Sequence, residues 1–182
     1  NSIDRFVVTG AGNVGIGTST PDTIIHVMHS TSPTLTLERN STSLANSNVI
    51  GDISMAHKDS NDAGVAVRII GRAEGTAGAA GLAFNTGTPT SIAERVRIDS
   101  SGRVLIGHTA AIAVAGESNP ALQLIGSGVS SNSWFNMSRF SNNAGCAVLN
   151  FGKSRSDTIG TMTVVQNGDS LGIISASGAD GT

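Results

Sequence analysis

The stretch Arg95-Val-Arg-Ile-Asp-Ser-Ser-Gly-Arg-Val-Leu-Ile-Gly107 decides how this chain reads, because the chain writes it twice. The other version, Arg5-Phe-Val-Val-Thr-Gly-Ala-Gly-Asn-Val-Gly-Ile-Gly17, lies 90 residues earlier. Phe6, Val8, Val14 and Ile16 fall on Val96, Ile98, Val104 and Ile106, and the turn Gly10-Ala11-Gly12 falls on Ser100-Ser101-Gly102. In both copies every second residue is apolar on either side of a glycine-bearing turn, which is the pattern of a half-buried β-hairpin. A unit repeated at such long spacing points to a modular structural protein before it points to an enzyme.

Working outward, further segments match. Ser32-Pro-Thr-Leu-Thr-Leu37 resembles Asn119-Pro-Ala-Leu-Gln-Leu124, and Ile50-Gly-Asp-Ile-Ser-Met55 resembles Ile159-Gly-Thr-Met-Thr-Val164. Ala73-Glu-Gly-Thr76 resembles Ala179-Asp-Gly-Thr182. The alignment needs an insertion around Ser130–Asn143, which brings Trp134, Phe135 and Phe140. Two β modules are therefore expected, residues 1–94 and 95–182, the second incomplete at its C-terminal end. The natural protein is expected to continue past Thr182, and from the start at Asn1 without Met a fragment or a trimmed chain is expected.

Strand character recurs along the whole chain. The expected strands are 5–9, 13–16, 23–28, 34–38, 49–56, 64–71, 79–85, 95–99 and 103–107, then 112–115, 121–125, 133–140, 144–151, 159–166 and 170–176. Turn signals separate them at Asp59-Ser-Asn-Asp62, Gly75-Thr-Ala-Gly78, Asn142-Asn143 and Asn167-Gly168-Asp169. Asn167-Gly168, between Met162-Thr-Val-Val165 and Leu171-Gly-Ile-Ile174, is the strongest local hairpin signal. No window offers a helix-period apolar face free of glycine and β-branched residues, so the fold class is all-β.

Composition limits what such a chain does alone. Of 182 residues 23 are glycine, aromatics are 3% and charged residues 13%, about half the usual share. Small side chains bury little area each, so a lone subunit has a thin core, and partner subunits are expected to complete it. The low charge also separates the chain from disordered sequences. A net charge of −2 with scattered Arg and Lys provides no stripe for nucleic acid. No apolar run approaches transmembrane length, and no signal peptide is visible. The single Cys146, in an apolar β-like run, reads as a packed thiol and leaves the redox compartment open.

Several motifs invite chemistry. Gly10-Ala-Gly-Asn-Val-Gly15 has the spacing of a dinucleotide fingerprint, but Ile16-Gly-Thr-Ser-Thr-Pro21 is a poor helix start and the second copy lacks two of the glycines. It reads as a hairpin turn, and no cofactor is expected. His26, His29, His57 and His108 have no ligand spacing; His26 and His29 fall on opposite faces of a strand, leaving an axial histidine ring in a trimer as the remaining metal arrangement. His108 in place of Thr18 reads as a tolerant surface position. The carboxylates read as solvated turn residues, and no Gly-x-Ser-x-Gly elbow is present. On 95–99, Arg95, Arg97 and Asp99 share one face, available for cross-strand or intersubunit ion pairs, while Val96 and Ile98 form the face expected to hold the fold. Trp134 and Phe135 are the candidate ligand contact, since a large ring stacks on a sugar face; the alternative is packing beneath a loop.

Two stretches carry a family resemblance: Gly12-Asn-Val-Gly-Ile-Gly-Thr-Ser-Thr-Pro21 and Glu94-Arg-Val-Arg-Ile-Asp-Ser-Ser-Gly-Arg-Val-Leu-Ile-Gly107. They resemble the repeats of bacteriophage tail fibres and tail spikes, often followed by an endosialidase-type intramolecular chaperone. The second departs from the pattern with Leu105 for glycine and His108-Thr-Ala for the Thr-x-x-Pro ending. The resemblance implies an elongated, intertwined parallel homotrimer in the virion tail, in contact with other tail or baseplate proteins and with host cell-surface glycan or protein. It implies attachment without catalysis. A polysaccharide-degrading tailspike with carboxylates in an intersubunit groove is the alternative.

Overall fold

Alternating apolar residues around glycine turns give nine strands and no helix among the described residues. The computed structural model describes residues 6–113, 120–126 and 135–176. It divides into two compact units, Asn1–Ser41 and Thr42–Thr182. The first holds β1 (Phe6–Val8), β2 (Val14–Ile16) and β3 (Ile25–Val27), with β1 antiparallel and β3 parallel to β2. The second holds a six-stranded sheet in chain order: β4 (Val49–His57), β5 (Gly64–Ala73), β6 (Ala80–Thr88), β7 (Ser91–Ile98), β8 (Val104–Ile106) and β9 (Leu122–Leu124). All its pairings are antiparallel except β8 with β9. The second signature hairpin is therefore β7–β8, continuous with the strands before it.

The repeated sentence folds twice into the same object. Phe6 pairs with Ile16 and Val8 with Val14; Val96 pairs with Ile106 and Ile98 with Val104. Each turn closes through the same two backbone bonds: Gly12 N to Thr9 O and Thr9 N to Asn13 O (both 2.9 Å), then Gly102 N to Asp99 O (2.9 Å) and Asp99 N to Arg103 O (3.0 Å). Gly12 and Gly102 take φ of 83° and 79°, the left-handed position a three-residue hairpin loop needs at its end. Both hairpins then gain a parallel third strand, Ile25–Val27 on β2 and Leu122–Leu124 on β8. That pairing corrects the alignment of Ser32–Leu37 with Asn119–Leu124: Leu122–Leu124 stands where Ile25–Val27 stands, and 34–38 forms no strand. The extra residues of this part of the second copy lie in 107–121, ahead of the insertion expected at Ser130–Asn143.

The two faces of the large sheet differ in kind. One row runs Asp52, Ile70, Ala83, Arg97, Leu105, Gln123 from β4 to β9. Its opposite-face neighbours run Ile53, Ile69, Phe84, Val96, Ile106, Leu124, and beside them Gly51, Gly71, Leu82, Ile98, Val104, Leu122. The chain's own loops close over the first face. Arg72 Nη1 donates to the Ser47 carbonyl (3.1 Å), and the Gln123 amide bonds both the N–H (3.1 Å) and the carbonyl (2.6 Å) of Ile112, while Ser47 N to Ala73 O (2.8 Å) and Ala73 N to Asn48 O (2.9 Å) extend the β4–β5 ladder. Ile70, Ala83 and Leu105, fully buried, lie on this face. The apolar face of β7 was expected to hold the fold; instead Arg97 is 7% exposed and Ile98 38%. Position 18 is corrected likewise: Thr18 is 5% exposed, its hydroxyl accepting from Thr20 N (3.2 Å), and His108 is half-buried, its Nδ1 donating to the Ala110 carbonyl (2.7 Å).

Strands expected in the C-terminal part do not form among the described residues of 112–115, 133–140, 144–151, 159–166 and 170–176. At Asn167-Gly168 the turn itself is present, with Asp169 N bonded to Gln166 O (3.1 Å) and Gly168 at φ 92°, but its flanks make no ladder. Ile159, Met162, Val164, Ile173 and Ile174 are exposed there, and Cys146 is exposed rather than packed. Alternation makes a strand only where it is paired, and these segments pair with none of the nine strands. In total the chain leaves 14172 Å² in contact with solvent. A folded monomer of 18.3 kDa is expected to expose about 8,000 Å².

After each hairpin a second glycine sits against the returning chain: a Cβ on Gly17 or Gly107 would run into the carbonyl oxygen of Met28 or Ile125, while one on Gly102 would meet open space. Gly102→Ala is expected to cost about 1–2 kcal/mol from its left-handed φ alone. Gly107→Ala should cost more, because β9 must also shift; urea unfolding of both variants checks the order.

Candidate functional site

A β-bulge builds the most concentrated chemistry in the described chain. Phe84 pairs with Val96 but Asn85 pairs with Glu94, so Arg95 is an extra residue on β7. On a regular strand Glu94 and Arg97 would point to opposite faces; the extra residue turns both to the covered side. Arg97 then grips Glu94 with two parallel bonds, Nε to Oε1 (2.7 Å) and Nη2 to Oε2 (2.9 Å), and reaches Glu74 Oε1 with Nη1 (3.1 Å). The other Glu74 oxygen accepts the Ser100 amide (2.7 Å), tying the β5–β6 connection to the hairpin turn. Arg72 Nε stands 3.5 Å from Glu94 Oε2, an electrostatic contact longer than a normal hydrogen bond.

Asp99 organises the turn beside this network. One carboxylate oxygen accepts the amides of Ser101 and Arg103 (3.0 Å each), and the other accepts Arg103 Nε (2.6 Å). Burial pushes its pKa up, but the Arg103 backbone, its guanidinium and the Ser101 amide together hold it below the usual carboxylate value. Asp52 is lowered chiefly by its bond to Arg68, against burial and with help from the Ser54 hydroxyl. Arg97 is held more firmly protonated by Glu94 against burial, with Glu74 assisting. These carboxylates were expected as solvated turn residues. Glu94 and Asp99 are instead covered and engaged, because the bulge and the turn aim them under the loops.

A cleft of about 350 Å³ opens over the network, lined by Asn46, Ser47, Glu74, Arg97, Asp99 and Arg103 among others. Its two acids are both committed to arginine and backbone partners, so its walls offer paired charges. A more apolar cleft of about 340 Å³ in the first unit is lined by Ile16, Val27, Met28 and Pro33 with His29. Each of the four histidines has a local partner: His26 Nδ1 lies 3.8 Å from Asp22, His29 bonds Thr31, His57 accepts the Asp59 amide, and His108 bonds Ala110. Among the described residues no group of three or more His, Cys, Asp or Glu is placed to hold a metal. Gly10 and Gly12 sit in the hairpin turn and Gly15 in β2, so the glycine fingerprint opens a strand rather than a helix. No helix of the described residues is long and apolar enough to cross a membrane.

Of the two sequence-derived ligand contacts, Phe135 is 73% exposed in a segment without strands, so it is not packed beneath a loop, and Trp134 lies outside the described residues. Farther along, Arg155 clamps Asp169 with Nε to Oδ2 (2.8 Å) and Nη2 to Oδ1 (2.7 Å), and Nη1 reaches Gln166 (2.7 Å). Sequence reading places Arg97 among residues available for ion pairs but not its partners Glu94 and Glu74, and it does not find the Arg155 site. The Asp169 partner is 14 residues from Arg155, and the bulge that joins Glu94 to Arg97 leaves no mark in the alternation. No protein-family model and no curated protein matches this chain.

Removing one partner of a buried ion pair strands the other, so Arg97→Met is expected to destabilise the second unit by about 3–5 kcal/mol in urea unfolding. Asp169 is lowered to about 2, first by Arg155 and then by the Gln166 amide. Its folded value lies below its unfolded one, so its contribution is complete above the unfolded value and is lost as pH falls through the folded one. A carboxyl NMR titration should show Asp169 changing near pH 2 and, in Arg155→Gln, moving up toward 3.8.

Proposed function

We propose that this chain is a structural and host-attachment segment of a bacteriophage tail fibre, located in the virion tail and built as a parallel homotrimer. The observation that carries this reading is the solvent-exposed surface of 14172 Å², far above the roughly 8,000 Å² of a self-sufficient monomer of this mass. Such a chain is a part that neighbouring copies complete. The twice-built glycine hairpin supports the same reading, as does the resemblance of Gly12–Pro21 and Glu94–Gly107 to tail-fibre repeats. The function is multivalent presentation: copies on one rod raise the effective concentration of weak sites for host glycan or protein, and other tail or baseplate proteins anchor the rod. Phe135, exposed, and Trp134 are the side chains offered to such a ligand.

Three of the acids fit attachment better than the polysaccharide-degrading alternative. A glycosidase needs one carboxyl kept protonated as general acid. Asp52, Asp99 and Asp169 are shifted the opposite way, held as anions by arginine.

Antibodies raised against the chain should label the tails of phage particles recovered from the source bacterium, as seen by immunogold microscopy. The purified chain should reduce adsorption of those particles and release no reducing sugar from host capsule or lipopolysaccharide. Unlabelled tails would overturn the proposal, and sugar release would replace it with the degrading tailspike.

A further inference from the structure

The two hairpin units allow a comparison within one chain. On the covered side the matched residues change chemistry: Val7 becomes Arg97, Gly15 becomes Leu105 and His26 becomes Gln123. On the opposite side every matched pair is apolar: Phe6 and Val96, Val8 and Ile98, Val14 and Val104, Ile16 and Ile106, Ile25 and Leu122, Val27 and Leu124. What the repeat keeps is thus the side that its own chain leaves uncovered. In the six-stranded sheet this side continues through Ile53, Met55, Leu82 and Phe84, all exposed, and turns polar only at its β6–β7 end, at Thr86, Thr88 and Ser91. An antiparallel sheet that truly faces water presents polar residues there.

Resting on the self-assembling reading above, we propose that this apolar sheet face is the surface on which a second copy of the chain seats, while the arginine–carboxylate face stays closed under the chain's own loops. Two observations commit the face to a copy. The surface recurs in both units, so its partner must present a matching apolar surface at both places, which a second copy does by construction. The chain as a whole, sheet faces and strand-free segments together, also exposes roughly 6,000 Å² more than the monomer expectation, an excess on the scale of obligate assembly rather than of a bound peptide or glycan. A nucleic acid or a charged peptide finds no counter-charge on this face.

Thiol labelling of the full chain tests the inference. In a Cys146→Ser background, Met55→Cys places one thiol on the apolar face at a site 50% exposed in the single chain, and Ser101→Cys places one on the exposed hairpin turn. Sedimentation equilibrium first establishes the assembly state. In the assembled protein the thiol at position 55 should react with a water-soluble maleimide at least about tenfold more slowly than that at 101, and the difference should vanish in denaturant. Equal rates in an assembled protein overturn the proposed face while leaving self-assembly intact. Sedimentation as a single chain overturns both. Phe84→Glu should also shift the assembly to single chains while Arg95→Glu leaves it unchanged; assembly unaffected by Phe84→Glu speaks against the face, and if that variant fails to fold the labelling rates decide.

Discussion

A β-sheet has two faces, and a chain of small residues has little with which to cover either. Here the loops near residues 45–48 and 109–113 reach over one side only, where they meet Arg72 and Gln123. Everything else in the second unit follows from that one-sided closure. The buried apolar residues are few and small, the covered side accommodates ions, and the larger aliphatic and aromatic side chains are turned the other way. With a thin apolar interior, the hydrophobic effect available within one chain is modest, and many of its larger apolar side chains remain in water.

The arginine–carboxylate network explains how a closed face tolerates so much charge. Arg97 meets one carboxylate with its fork and another with its remaining nitrogen, so its charge is compensated in three hydrogen bonds. The network also joins segments far apart in sequence: the β5–β6 connection, the bulged strand β7 and the turn after it. A buried pair of this kind contributes little net stability over an apolar isostere, yet it penalises every alternative register that would separate the partners. In a sheet otherwise rich in interchangeable small residues, that specificity has a clear use. Strand slippage by one residue would leave Arg97 and Glu94 on an apolar side with no partner.

Much of this was legible from the residues. The hairpins, their turns, the long strands between Val49 and Ile98 and the absence of helix all follow from alternation and glycine placement. Alternation does not say which side is covered, however, and the more apolar side of Val96 and Ile98 looked like the inside. The bulge at Arg95 was invisible because it changes the pairing without changing the alternation of 95–99. Leu122–Leu124 was matched to Leu35–Leu37 by a shared proline and leucines, although its place was beside β8. Met162–Val165 and Leu171–Ile174 have strand composition, but they pair with none of the nine strands, and composition alone does not say which segments pair. Of the functional residues, the rings at Trp134 and Phe135 stand out in the sequence, whereas the Arg97–Glu94 clamp depends on a bulge, and the Arg97–Glu74 and Arg155–Asp169 contacts on residues far apart in the chain.

On the proposed assembly, folding and association of this chain are one process, in which another copy finishes one sheet face. The most direct measurement is the midpoint of reversible thermal unfolding as a function of chain concentration. When native structure includes partner chains, mass action raises Tm with concentration. A Tm that climbs steadily over a hundredfold range of concentration is expected; a sharp transition at the same temperature throughout would show a subunit complete by itself and contradict the claim.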